Sequence, residues 1–389
     1  MNILLSAYAC EPNMGSEPGV GWHWAIELAN MGHRVWVITR ANNQSSIEEA
    51  LSVEQRAVVR ERLQFVYYDL PSWARQWKKR IPGGVYAYYF SWQIGIYSVA
   101  KALIAQIDFD WVHHITFGGI RQPSFLAFLG VPFILGPLGG GERAPYSLRK
   151  SLPLRGRVLD FLRDFLSLVA IFDPIANALY RHSDIILCKT TETLACIPKR
   201  YHKKCRVHLE IGIDSSLSPV GDTNKAVRKD QPFRVLYVGR LIYWKGLHLG
   251  LRAFAQMHKE TPHARLTVIG SGADSNWLHQ IAEQLGINHA IDWIPWMQQD
   301  KVLKTYAEHD VFLFPSLHDS SGNVILESLV QALPVICLDL GGPGTLVNDT
   351  CGYVVPTAGA SEATVIQLLA ERLKASATPS ERLEQLSQG

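Results

Sequence analysis

Residues 318–329 read HDSSGNVILESL and follow the apolar run VFLFP at 311–315. A short run of β-branched and aromatic residues that gives way to serine and glycine, and then to apolar residues at helical spacing, reads as a strand handing over to a helix. The same hand-over recurs along the chain. NILLSAYA, RVWVITR, WVHHITF, PFILGPL and DIILCKT read as strands in the first half. FRVLYVGR, ARLTVIG, AIDWIP, VFLFPS, LPVICLD and CGYVVP follow in the second. Helical patterns of ten to fifteen residues lie between them, GWHWAIELANMGH being the first. Strands alternating with helices form parallel sheets with crossover connections. Two such series predict an α/β chain of two Rossmann-like domains, 1–215 and 216–389, whose sheets face each other across an inter-domain cleft. The polar, charged stretch 214–233 is the linker, and the helical tail from Ser361 packs on either domain.

Length and composition agree. The 389 residues suit two domains, and 47% of them are apolar. The net charge of +3 is unevenly spread: residues 1–215 carry 24 Lys/Arg against 18 Asp/Glu, and residues 216–389 carry 14 against 17. The first half is the one that meets an anionic surface, and without a dense basic motif nucleic acid is excluded as a partner. The six cysteines include no C-x-x-C pair and read as buried free thiols. MNILLSAYACEP has no cation before a short apolar run, so it is a strand rather than a leader. No apolar stretch reaches about 18 residues, and the expected location is cytoplasmic.

Ligands of open parallel sheets bind beyond the carboxyl ends of the strands, so chemistry is sought there. VLYVGRLIYWKG places Arg240 and Lys245 in a loop turned by Gly239, with Gly246 at or before the next helix. A guanidinium and an ammonium five residues apart suit a diphosphate, although two solvated cations would look the same. TVIGSGAD brings the backbone of Gly270 close to a ligand or is a plain turn. The loop around Trp296 in IDWIPWMQQD presents backbone to a nucleobase edge or is simply apolar. In HDSSGNVILESL, Ser320 or Ser321 is the expected helix cap, and the free N–H groups of Gly322 and Asn323 would face an anion. Asp319 before the cap and Glu327 inside the helix can each accept two hydrogen bonds from vicinal hydroxyls, which suits carbohydrate and ribose. A second capping residue and a solvated helix residue are the plainer alternatives.

VGRLIYWKG, PSLHDSSGNVILESLVQALPVI and LGGPGTLVNDTCGYVVP resemble the C-terminal domain of retaining GT-B glycosyltransferases of family 4, and the resemblance extends over nearly the whole chain. It implies that Glu327 bonds the donor ribose and that Asp319 holds hydroxyls of the donor sugar; with Arg240, Lys245, Ser321, Gly322 and Asn323 read as the diphosphate side of the site, these complete the donor-binding set. Asp319 is one methylene shorter than the family's usual glutamate. Ser321-Gly322 replaces the usual Phe-Gly, and Thr345 stands where glutamate is frequent. The first half is looser. There the resemblance places the loop of Gly15 over the donor phosphates and acceptor, with Glu17 orienting an acceptor hydroxyl or simply an exposed loop acid, and a histidine of WVHHITF, taken as His114, near the donor sugar unless it is a satisfied core histidine; the glycine-rich strand end with Gly140 and Glu142 shapes the acceptor pocket or is a flexible turn. No metal or other cofactor is implied: the DFD at 108–110 has metal-ligand spacing but precedes its strand.

Two segments, 71–103 and 146–172, mix aromatic or apolar helical faces with cations, a composition suited to an anionic lipid interface as well as to core-packed helices. The reading as a whole is a retaining transferase for polysaccharide or glycolipid synthesis. It moves a sugar from a nucleoside diphosphate sugar to a carbohydrate or lipid-linked glycan, at the cytoplasmic face of a membrane. A nucleotide-sugar epimerase of the same fold and a non-catalytic nucleotide-sugar-binding protein are the alternatives.

Overall fold

A computed structural model describes residues 1–52, 57–80, 83–212 and 232–378. The expected linker falls outside these residues except for its last two. The chain divides into two compact units, residues 1–141 with 165–210 and residues 142–164 with 211–389. The segment 142–164 therefore groups with the second unit although it lies in the first half of the chain.

The first unit runs β1 (Asn2–Ser6), α1 (Ser16–Asn30), β2 (Arg34–Thr39), α2 (Gln44–Leu51), α3 (Ala57–Arg60), β3 (Leu63–Tyr67), α4 (Ser72–Arg80), α5 (Gly84–Ile104), β4 (Trp111–His114) and β5 (Phe133–Leu138). After the segment that joins the second unit, which carries the start of α6 (Leu154–Ala170), come α7 (Pro174–His182), β6 (Ile185–Cys188), α8 (Thr191–Cys196) and β7 (Cys205–Val207). The seven strands form one parallel sheet ordered β3-β2-β1-β4-β5-β6-β7. Successive residues of the inner strand β1 go to opposite faces: Leu4 packs with Trp92 and Val112, Leu5 with Trp22 and Ile115. A sheet covered on both faces needs near-continuous apolar strands, and that is why these runs were legible.

The second unit continues β8 (Arg234–Val238), α9 (Leu247–His258), β9 (Arg265–Ile269), α10 (Ser275–Gln284), β10 (Ile291–Ile294), α11 (Gln299–Ala307), β11 (Val311–Phe314), α12 (Asn323–Val330), β12 (Val335–Leu338), α13 (Gly341–Leu346), β13 (Gly352–Val355) and α14 (Glu362–Ala377). Its six parallel strands are ordered β10-β9-β8-β11-β12-β13. The described part of the tail, α14, packs on α9. Ala144, Leu148 and Leu152 enter this unit's core, which explains why their segment belongs here.

Three local features sharpen the reading of the sequence. Helix α1 begins at Ser16, five residues before the pattern read from Gly21, so Glu17, Gly19 and Gly21 are helical, with Glu17 in the first turn. A Cβ at Gly21 would strike the carbonyl oxygen of Ala9, so the glycine lets the helix pack on the chain leaving β1. In the segment 71–103, α5 buries Tyr88, Tyr89, Trp92 and Ile96 in the core but leaves Tyr86 and Ile94 exposed, and Lys78 of α4 turns inward, its Nζ donating to Tyr8 Oη at 3.1 Å. Finally, α6 is reversed. Its inner stripe is Gly156, Asp160, Arg163, Asp164 and Ser167, whereas its large apolar side chains are exposed.

Candidate functional site

The loops after β8, β9 and β11 are joined backbone to backbone. Gly239 N–H donates to Ile269 O and Leu241 N–H to Ser271 O, both at 3.0 Å. The Asp274 carboxylate accepts from Tyr243 N–H at 2.8 Å. Gly270, at φ +145°, lies where a Cβ would collide with Gly239 O. Gly246 adopts φ +70° and caps α9, and a Cβ there would collide with Pro315 O. Leu317 N–H donates to Trp244 O at 2.9 Å. The glycines thus serve close backbone approach, and they bring residues 240–246 against residues 315–319.

That approach sets the central contact. Lys245 Nζ is ion-paired with Asp319 Oδ2, with the two side chains 19% and 15% exposed. The same ammonium lies 5.2 Å from the centroid of the Phe314 ring. Tyr237 is fully buried nearby; burial first, and then the Asp319 charge, pushes its hydroxyl well above the usual range. Arg240 is exposed at the end of the same loop, and its side chain has no ion pair among the described residues. Beyond Asp319 the cap differs from expectation. Neither Ser320 nor Ser321 caps α12; its N-cap is Gly322 at φ +85°, with no side-chain hydrogen bond to the first turn. The physical reason is the neighbouring turn: Gly342 N–H donates to Asp319 O at 2.8 Å, and Gly341 and Gly342 pack on the backbone of residues 319–321. The chain is held in a path that reaches the helix through a left-handed residue. The buried Asn323 Oδ1 has no hydrogen-bond partner.

Glu327 lies one turn into α12. Burial raises its carboxyl above the ordinary range, opposed by hydrogen bonds from Tyr306 and Gln299; the Tyr306 hydroxyl donates to Oε2 at 3.1 Å. Trp296, in the loop after β10, is 74% exposed. Among the described residues no three His, Cys, Asp or Glu side chains are grouped to hold a metal ion. Asp110 accepts instead from Asn2 N–H at 2.7 Å, closing the start of β1.

A second layer was missed in the sequence. Asp160 Oδ1 accepts from the Tyr243 hydroxyl at 3.0 Å and from His318 Nε2 at 3.3 Å. Arg163 Nη1 donates to His318 Nδ1 at 2.6 Å, and its Nη2 donates to the Glu142 carbonyl. An arginine can only donate, so Nδ1 accepts and Nε2 carries the proton. Burial keeps the His318 imidazole below its ordinary pKa. Burial alone would raise Asp160, but the His318 and Tyr243 hydrogen bonds and the Arg163 charge outweigh it and hold the carboxyl low. Trp244 stacks on His318, with centroids 5.7 Å apart and planes at 12°. Both residues flanking the ion pair in sequence, Trp244 and His318, are thereby fixed. The only sequence signal was a polar stripe at 160, 163, 164 and 167 opposite an apolar face.

In the first unit the candidate residues are occupied. His114 is buried; its Nε2 bonds Tyr89 Oη at 3.1 Å and its Nδ1 bonds Ser6 Oγ at 3.3 Å, and burial lowers it to about 3. This is a satisfied core histidine, and both its ring nitrogens are engaged by Tyr89 and Ser6 rather than left for a donor sugar. His113 bonds Gly136 O at 2.8 Å and is lowered by burial to about 4. Glu17 accepts from Phe117 N–H at 2.6 Å and lies 3.7 Å from Lys189 Nζ, whose closer partner is Glu210 at 2.5 Å. Gly15 is the exposed N-cap of α1, Gly140 has φ +94°, and Glu142, which groups with the second unit, is buried.

Residues 222–385 match the family model for glycosyl transferases group 1. This segment is a glycosyl transferases group 1 domain. The group 1 domain contains Arg240, Lys245, Asp319, Gly322 and Glu327. The lipopolysaccharide core biosynthesis glycosyltransferase LpsE of Rhizobium meliloti (strain 1021) is 29% identical over 182 residues, covering 45% of this chain and 50% of the relative. The chain spans half or less of the length of the curated relatives it matches. Among solved structures, the apo lipopolysaccharide outer core galactosyltransferase WaaB has a TM-score of 0.62 at 13% identity, over 100% of this chain and 94% of that one. Anabaena Alr3699/HepE in complex with UDP and glucose has a TM-score of 0.58 at 15% identity, over 100% and 92%. These likenesses show the fold: two Rossmann-like α/β domains of the GT-B type, one of them the group 1 domain.

Proposed function

We propose that the protein is a retaining glycosyltransferase that moves a sugar from a nucleoside diphosphate sugar to a hydroxyl of a carbohydrate or lipid-linked glycan. The observation that carries this reading is the convergence of Lys245, Asp319 and the uncapped start of α12 on loops held together by glycine contacts. Without donor, Asp319 neutralises Lys245. With donor, the ammonium and the exposed Arg240 guanidinium grip the diphosphate. The first-turn N–H groups of α12 add to them, and Asp319 takes sugar hydroxyls. Glu327 takes the ribose, the backbone at Gly270 and Ser321 approaches the phosphates, and the loop of Trp296 meets the base. UDP is the first nucleotide to try, because a structure of the same fold holds it.

Chemically, the bond from the anomeric carbon to the β-phosphate oxygen breaks while one to the acceptor oxygen forms on the same face. The acceptor proton passes to the departing phosphate oxygen. Negative charge grows on the diphosphate, and Arg240 and Lys245 stabilise it there. No metal is assigned a part. Glu17, Gly140 and Glu142 are assigned to the acceptor, and a lipid-linked acceptor places the work at the cytoplasmic face of an anionic membrane.

The test is release of nucleoside diphosphate from a panel of UDP, GDP and ADP sugars, with and without glycan acceptors. Release that depends on acceptor supports transfer. Interconversion of the donor alone would identify an epimerase, and binding without either reaction a sugar-nucleotide-binding protein.

A further inference from the structure

Helix α6 carries its charges inward and its apolar residues outward. Every inward charge has a partner. Asp160 is held by Tyr243 and His318, Arg163 by His318 and the Glu142 carbonyl, and Asp164 by Arg149 at 2.8 Å. Gly156 sits where a Cβ would press on the Tyr243 ring, 2.9 Å from its Cγ. The helix cannot roll its apolar face inward without breaking these buried pairs, and an uncompensated buried charge is costly. The outer face stays in water: Leu154 is 69% exposed, Phe161 68%, Phe165 54% and Val169 48%, and Phe172 just beyond the helix is 79% exposed. Monomeric proteins rarely leave so large an apolar surface uncovered.

We infer that this face of α6 docks on an anionic lipid bilayer. The inference deepens the membrane contact proposed above and rests on that part of the reading. The charge pattern selects the occupant. Arg155 and Arg157 are exposed among the apolar residues, Lys150 is exposed just before the helix, and the helix's two acids are both buried. The outer face is therefore apolar and cationic with no carboxylate of the helix to oppose an anion. A bilayer surface supplies acyl chains and phosphates together. A second copy would bring the same cations into its own interface with nothing on α6 to neutralise them. Seventeen residues rise about 25 Å, and among the described residues no helix is long and apolar enough to cross a membrane; α6 lies in the plane of the interface. Its other face meanwhile holds the residues on either side of Lys245 and Asp319, so the element that meets lipid also braces the donor loops.

The experiment is sedimentation of the full chain with vesicles of phosphatidylcholine alone or mixed with phosphatidylglycerol, with the wild type, Phe161→Ser/Phe165→Ser and Arg155→Gln/Arg157→Gln. Thermal melting checks the fold of each variant. The wild type is expected to pellet with the mixed vesicles. The phenylalanine variant loses roughly tenfold or more in partitioning, and the arginine variant loses its preference for anionic lipid. A wild type that stays in the supernatant, or variants that pellet equally well, would overturn the inference. So would a solution dimer that the phenylalanine variant makes monomeric, since the face would then be covered by a second copy. The assay uses neither donor nor acceptor, so its failure leaves the transfer reading standing, and failure of transfer leaves vesicle binding intact.

Discussion

The two sheets end differently. In the first unit the strand-end histidines are spent on the fold: His114 uses both ring nitrogens and His113 holds Gly136 O, while Glu17 gives one oxygen to Phe117 N–H. In the second unit the strand ends leave chemistry available. Arg240 is exposed, the start of α12 has no side-chain cap, and Lys245 and Asp319 are paired with each other where the proposed diphosphate would enter. Similar topology does not make two similar sites. What differs is that the second unit keeps an exposed cation and an uncapped helix start beside its ion pair.

Substitutions separate the two cases. The largest effect is expected for Lys245→Ala, which lowers turnover about a hundredfold or more and shifts the melting temperature far less; wild-type turnover would remove Lys245 from the site. Glu327→Ala comes next. A lost hydrogen bond to a charged group costs about 1.5–3 kcal/mol, so nucleotide affinity falls about tenfold or more, as read by titration calorimetry. Unchanged affinity would end the ribose assignment. In the first unit, Glu17→Ala is expected to leave nucleotide affinity alone. It costs about 1 kcal/mol of stability, because Lys189 keeps Glu210, and it raises the KM for acceptor. A fall in donor affinity would erase the contrast between the units.

The smallest effect is a pH dependence shared by both units. Burial lowers His113 to about 4 and His114 and His248 to about 3. The unfolded chain therefore binds more protons below about pH 6.5, where free histidine titrates. The stability these neutral rings contribute is complete above that pH and is lost as the pH falls through 6.5 towards 4. Melting temperatures should be level above pH 7 and decline below 6.5, and His248→Phe should flatten the decline. A flat profile for the wild type would show that the rings are not held neutral.

Most strands could be read from the chain because a doubly covered parallel sheet demands continuous apolar runs. β3 and β7 escaped notice: LQFVY carries a glutamine amid its apolar residues, and CRV is three residues long. Lys245, Asp319 and Glu327 were legible as members of strand–turn–helix motifs. Their surroundings were not, because Tyr306 meets Glu327, and Asp160 and Arg163 meet Tyr243 and His318 beside the ion pair, only through tertiary contacts. Nor does an amphipathic pattern say which side is inside. The periodicity of α6 shows two faces, and the rule that apolar residues go inward fails there because buried ion pairs fix the polar face. The serine cap on α12 failed for a similar reason: the Gly341–Gly342 contact holds the preceding backbone in a path that reaches the helix through Gly322.

Nucleotide binding by the full chain tests the central claim most directly. Titration calorimetry with UDP, GDP and ADP should find one nucleoside diphosphate that binds, and Arg240→Ala/Lys245→Ala should weaken it about a hundredfold or more while the melting curve stays cooperative. Binding of no nucleoside diphosphate, or equal affinity in the double variant, would contradict the account.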